Sequence, residues 1–218
     1  MRALTTLAAI LLLSGPVGGR EWQPYDVPLS GSSDAWGTML YYDDGVFERW
    51  GTAPSWAEEQ QVGFRLPSDG PWQIVAVQLW IGGGFTHNLL FRQPDGSLAG
   101  GPGPIMASIV PFEPGYPADP EGPDRWVEVD VSGLDLRLEG GEEIFVGATL
   151  DGIDDGIGLD SSNPSGHSWG FYNGEWIQDS ALWGVDAGVR LVLAGVLVPL
   201  DVVSWGTIKG LYLPPTVD

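Results

Sequence analysis

"WQIVAVQLWI", residues Trp72 to Ile81, decides the fold class. In an extended chain Ile74, Ala76, Gln78 and Trp80 point one way, and Val75, Val77, Leu79 and Ile81 point the other. One side is wholly apolar, the pattern of a strand half-buried in a sheet or sandwich. Apolar runs of similar length recur at "QQVGFRL" (60–66), "RWVEVDV" (125–131), "EEIFVGATL" (142–150) and "GVRLVLAGV" (188–196). Beyond the N-terminal segment no window of three turns carries a 3.6-residue apolar stripe with caps.

Turn chemistry separates these runs. "TMLYYDDGVFERW" (38–50) sets Asp43-Asp44-Gly45 between two aromatic-rich runs, a hairpin signal, and "HSWGFYNGEWIQ" (167–178) sets Asn173-Gly174 between two more. Asn-Gly tolerates the positive φ angles of a two-residue hairpin turn. A third turn is expected at Pro94-Asp95-Gly96. The expected architecture is all-β: a two-sheet antiparallel, jelly-roll-like sandwich of nine or ten strands between about Gly37 and Pro199. "AGGPGPIMASIVPFEPGYPADPEGPD" (99–124) is too proline-rich for a central strand, and reads as a long surface connection with an edge piece at Ile105 to Val110.

The chain begins with Arg2, an apolar run from Ala3 to Leu13, and small residues at Val17 and Gly19. That is the pattern of a secretory signal peptide, and the run is about half the ~20 residues a membrane-spanning helix needs. The expected organisation is a signal at 1–19, a lead-in at 20–36, the sandwich at 37–199 and a tail at 200–218. The mature chain is expected outside the cell or on a bacterial surface, with no membrane span. With no cysteine, a disulfide framework and a thiolate metal site are both excluded.

Acidic residues number 29 against 9 basic ones, for a formal charge of −20. Nucleic acid and anionic membranes are excluded as partners, because a polyanion would be repelled. Solubility alone also accounts for such acidity.

Several motifs point to chemistry, and each has a structural counterpart. Glu128 and Asp130 in "WVEVDVSG" are similar to the first two acids of the E-x-D-x-x-E signature of laminarinase-like retaining glycosidases. The third acid is missing, since its position holds Gly133, or Ser132 in the variant one residue shorter. Retention needs two carboxyls about 5 Å apart around the sugar bond, so two acids on a solvated strand is the simpler reading. His87 and His167 are the only histidines and stand far apart, with no H-E-x-x-H, so a zinc site would have to recruit carboxylates from distant strands, and G-x-S-x-G is absent.

"DGIDDGIGLDSS" (151–162) matches an EF-hand calcium loop at its first, fifth and sixth positions, then fails where Ile153 and Ser162 stand in ligand places. A looser calcium site drawing on Asp151, Asp154, Asp155 and Asp160 stands beside the reading of an acidic solvated turn. Eleven tryptophans are many for 218 residues. Trp169 and Trp176 flank the Asn-Gly turn, whose register would bring Trp169 near Ile177 or Trp176, and an aromatic platform on a sandwich face stacks on sugars. Core and cross-strand packing is the commoner use of such rings.

Taken together, "YYDDGVFERW", "VGFRL", "WQIVAVQLWI", "WVEVDVSGLDLRLEGGEEIFVGATL" and "SWGFYNGEWIQ…GVRLVLAGV" resemble a β-sandwich unit of exported bacterial proteins. That unit begins with a Y-D-D-G hairpin, ends in a strand with a basic residue, here Arg190, and often sits beside proteases or adhesin-like regions. The resemblance spans about Met39 to Val196. It implies an accessory domain with no catalytic role and carries over no functional residue.

"SWGTIKGLY" (204–212) resembles a short C-terminal W-G-x-I-K-x-L-Y motif of exported bacterial proteins, which implies sorting or anchoring. In a helical turn capped by Ser204, Trp205, Ile208 and Tyr212 share a face, while Lys209, the only lysine, lies in the opposite phase. The expected function is therefore a secreted, non-enzymatic sandwich for surface or extracellular binding or assembly. The partner is a polysaccharide or a cell-surface protein. A carbohydrate-binding module, calcium-stabilised or not, is the alternative, and a glycosidase using Glu128 is a further one.

Overall fold

The computed structural model describes residues 25–28, 36–44, 47, 49–52, 57–82, 87–97, 100–112, 126–150, 156–162 and 164–195. The expected signal, most of the lead-in and the whole tail, with Trp205, Ile208, Lys209 and Tyr212, lie outside them. Strands in chain order are β1 (Tyr25–Pro28), β2 (Trp36–Leu40), β3 (Arg49–Thr52), β4 (Glu59–Arg65), β5 (Trp72–Gly82), β6 (His87–Pro94) and β7 (Pro102–Phe112). Then follow β8 (Trp126–Asp130), β9 (Arg137–Leu138), β10 (Glu143–Thr149), β11 (Gly156–Asp160), β12 (Ser168–Tyr172) and β13 (Glu175–Gln178). A single helical turn, α1 (Asp179–Leu182), leads to β14 (Asp186–Ala187) and β15 (Val189–Gly195). The fifteen strands exceed the nine or ten expected because two-residue pieces such as β9 and β14 carry no alternation of their own.

The strands form two antiparallel sheets. The first has nine strands along β1-β2-β15-β5-β11-β14, with β8 and β9 on β5 and β3 on β11. The second has six, in the order β13-β12-β4-β10-β6-β7. Leu40, Ile74, Val77, Leu79, Ile81, Leu191 and Leu193 of the first sheet share one buried cluster with Val62, Phe64, Leu89, Phe91, Ile144 and Val146 of the second. The molecule is thus a two-sheet sandwich, and the chain crosses repeatedly between its layers.

Three local outcomes depart from the pattern read along the chain. Strand β5 is bulged: Val192 pairs with Ala76 and Leu193 with Ile74, so Val75 has no opposite residue. The bulge turns Ile74 inward with Val77, Leu79 and Ile81 and leaves Val75 and Ala76 with Met39 and Val192 on the outer face. The Asp43-Asp44 turn does not close a paired hairpin, because β2 pairs with β1 and β15 while β3 pairs with β11. Its residues are drawn elsewhere: Arg190 grips the Asp43 carboxylate, and the Asp44 amide donates to Asp160 Oδ2 at 3.0 Å. Finally, Pro102 to Phe112 is a full edge strand rather than a loop with a short edge piece. A terminal strand needs ladder bonds on one side only, so its prolines are tolerated.

The Asn173-Gly174 turn is as expected. Both residues have positive φ, 51° and 89°, and Tyr172 opposes Glu175 across it. Among the described residues no helix is long and apolar enough to cross a membrane.

Candidate functional site: a cleft on the outer face of the six-stranded sheet

The two-residue turn sets the register of β12 on β13. Trp169 opposes Gln178, and Phe171 opposes Trp176. Trp169 therefore meets neither Ile177 nor Trp176 head-on; the two tryptophans stand on one face as diagonal neighbours. On β4 the same face continues through Gln61, opposite Trp169, and Glu59, opposite Phe171.

Glu59 and Gln61 are almost inaccessible although they face away from the core. The Arg92 guanidinium binds Glu59 at 2.7 and 2.8 Å, lies 5.3 Å from the Trp176 ring centre and donates to the Gly103 carbonyl. Gln61 donates to Glu59 Oε1 at 2.8 Å. A charge removed from water needs such a set of partners, and the bidentate fork supplies most of it.

Beside this group lies a cleft of about 220 Å³ lined by Gly63, Gly100, Glu143, Phe145, Gly166, His167, Trp169 and Gln178. Its floor is possible because Gly63 has no side chain: a Cβ there would sit 2.8 Å from the Phe145 ring. Trp169 leans on Gly101, which likewise leaves room for the ring. His167 stacks on Tyr42, centres 4.2 Å apart and planes 7° apart. Burial lowers the pKa of His167, favouring the neutral ring. Burial raises that of Glu143, opposed by the Arg65 charge. The cleft thus offers an aromatic wall, an apolar floor and a rim of amide, imidazole and carboxyl groups. Such a combination suits a ring-shaped polar ligand, although the volume is below the range of about 300–1,000 Å³ typical of drug-sized pockets.

Beneath Trp169 is a buried polar knot. Gln60 donates to the Trp169 carbonyl at 3.1 Å and to Asp179 Oδ2, and the Tyr172 hydroxyl donates to Asp179 Oδ1 at 2.7 Å. Asp186 accepts from the Ser165 amide at 2.5 Å. Desolvation pushes Asp179 up to about 7 and Asp186 up to about 6.

The other sequence candidates fall elsewhere. Glu128 and Asp130 are exposed on β8: Gln78 donates to Glu128 at 2.9 Å, and Asp130 accepts from the Ser132 amide. Asp160 is buried, with Oδ2 on the Asp44 amide and Oδ1 on the Ser162 amide and hydroxyl. Asp151, Asp154 and Asp155 lie outside the described residues, among which no group of three metal-capable side chains occurs. His87 is fully buried, its Nδ1 2.8 Å from the Thr149 carbonyl oxygen.

Most described tryptophan rings serve packing. Trp80 fills the space over Gly158 and stacks with Phe47 at 4.6 Å, Trp126 lies under Arg190, and Trp72 donates to the Pro67 carbonyl. Trp183, at 45% exposure, is more open than Trp72, Trp80, Trp126, Trp169 and Trp176. No row of exposed rings is present among them. Of the cleft residues, Gln178 could have been found from sequence, because a two-residue turn at 173–174 fixes its position opposite Trp169. His167 stands two residues before Trp169 in the same hairpin stretch, whereas Glu143 and the Gly63 floor come from other strands and carry no local signal.

No protein-family model and no curated protein matches the chain. Among solved structures it is similar to the cysteine protease and lectin-like domains of Cwp84, a surface layer associated protein of Clostridium difficile. Identity is 8% and the TM-score 0.44, over 63% of this chain and 32% of that one. The chain spans about a third of that structure's length, and a likeness this distant assigns no residue and no activity.

Proposed function

We propose that the chain is an extracellular, non-catalytic β-sandwich module that binds a surface or extracellular partner through the outer face of its six-stranded sheet. The observation that carries this reading is the cleft at Trp169, where an aromatic wall, a glycine floor and polar groups from three segments converge. The ligand class we assign is a saccharide, which presents an apolar ring face for stacking and hydroxyls for the rim. The calcium arrangement around Asp160 is an accessory proposal, since Asp160 already ties two loops by hydrogen bonds.

Retention on a panel of immobilised polysaccharides, with and without calcium, tests both. Retention by at least one glycan, lost in Trp169→Ala and kept in Trp126→Ala, supports the cleft. Retention that survives Trp169→Ala, or none at all, removes it. Dependence on calcium that disappears in Asp160→Asn would support the accessory ion.

A further inference from the structure

The edge strand β7 carries a feature that the cleft does not explain. Pro102 to Phe112, "PGPIMASIVPF", has no charged residue in a chain of net charge −20. Ile105, Met106 and Val110 are 51%, 43% and 61% exposed, three of the most open large apolar side chains among the described residues. On one side β7 pairs with β6; no described strand lies on the other. Edge strands are ordinarily guarded by charge, especially lysine, against pairing with other chains. Here charge is absent, while the other guards, proline and bulges, fall at Pro102, Pro104, Met106 and Pro111 and leave Ala107–Ile109 regular.

We propose that β7 is a self-pairing edge, where two copies of the chain meet antiparallel and join their six-stranded sheets into one. Three observations favour a second copy over another occupant. An antiparallel pair about a two-fold axis is complementary to itself by construction. Two molecules of charge −20 repel over most approaches, and the uncharged strip lets them meet with least opposition. The prolines fix the register as well: Pro104 and Pro111 confine the strand able to donate on every residue to Ile105–Val110.

Within that run Ala107 and Ile109 pack against the core, so Ser108 and Val110 face outward. A ladder centred on Ser108 places Ala107 opposite Ile109 of the second copy, within the stretch that is regular between the bulges on either side. That register keeps the inward residues inward on both sides. The short run gives a modest, reversible interface, below the roughly 800 Å² per partner of standard stable complexes. Screening by salt should strengthen it.

The test is sedimentation equilibrium of the purified full chain over a concentration series at low and high salt. The expected result is a monomer–dimer equilibrium that shifts toward dimer with added salt. It should be abolished by Ser108→Lys, which sets like charges directly opposite one another at the axis, and kept by Ser97→Lys, the same charge change on an exposed turn away from the strand. The double change Ile105→Thr with Val110→Thr keeps the β-branched shape without new charge and should also weaken the dimer. Matching near-ultraviolet dichroism certifies each fold. A monomer at every concentration and salt overturns the proposal, as does a dimer that persists in Ser108→Lys or a β7-dependent complex with a different protein and no self-association. None of these outcomes bears on the glycan test, since Trp169 is untouched.

Discussion

Arg190 on the last strand and Asp43 in the first turn, 147 positions apart, are joined by two nitrogen–oxygen contacts of 3.0 and 2.5 Å. The Asp43 side chain is wholly buried, and the guanidinium is roofed by Trp126, whose ring centre is 3.9 Å away. Removing Arg190 would strand a buried carboxylate. We expect Arg190→Ala to cost about 3 kcal/mol in urea unfolding, the low end for a broken buried pair because Arg190 keeps some solvent contact. Arg190→Lys should recover only part, since an ammonium has no planar fork and stacks poorly. Equal stability of the wild type and the alanine variant would refute the clamp.

Two buried carboxyls contribute more stability in acid than at neutrality. Asp179 and Asp186 have folded pKa values of about 7 and about 6, raised from 3.8 by burial. Between those limits the folded chain holds protons that the unfolded chain releases. Their contribution is therefore full below about pH 4, declines as pH rises through 6 and 7, and then levels. At roughly 1.4 kcal/mol per pKa unit, the Asp179 contribution is on the order of 4 kcal/mol at most. Asp179→Asn should flatten much of this slope. A pH dependence of the urea midpoint between pH 4 and pH 7 that is unchanged in Asp179→Asn would contradict the assignment.

Gly147 is required by its neighbour strand. A Cβ there would stand 1.8 Å from the Gln60 carbonyl oxygen, which is backbone and cannot swing aside. Gly147→Ala should cost about 3 kcal/mol or more, in the range of severe overpacking. Gly133→Ala, with open space around it, should be neutral within about 0.5 kcal/mol. Comparing the two melting temperatures checks the claim.

At the Asn173-Gly174 turn, Gly174 has φ of +89° and nothing near its absent side chain. Gly174→Ala should therefore cost roughly 1–2 kcal/mol through backbone strain alone. Asn173→Gly should be tolerated, because it relaxes the same requirement. A neutral Gly174→Ala would mean that the turn adopts another type.

How far the sequence could carry these conclusions depends on where each constraint resides. The strand at Trp72 to Ile81 and the Asn-Gly hairpin are written locally, in alternation and in turn chemistry, and both are present as expected. The bulge at Val75 is not local: it exists because Leu193 pairs with Ile74 while Val192 pairs with Ala76. The Asp43-Asp44 segment has hairpin chemistry, yet Arg190 and Asp160, far along the chain, decide its path. Of the expected sugar-facing pair, Trp169 lines the cleft, whereas Trp176 packs beside Phe171 and Arg92. Asp179, an ordinary acid in "QDSALW", is buried only because Gln60 and Tyr172 converge on it.

The position of β15 also governs when the fold can form. That strand lies between β2 and β5, with Leu191 facing both Leu40 and Val77. The first sheet therefore lacks an interior member, not a rim, until the final described strand has left the ribosome. Contacts of such long sequence separation make for slow folding. Until then the β1-β2 part and the β5-β11 part of that sheet have no ladder between them, so the C-terminal strand closes a gap in the middle of the layer.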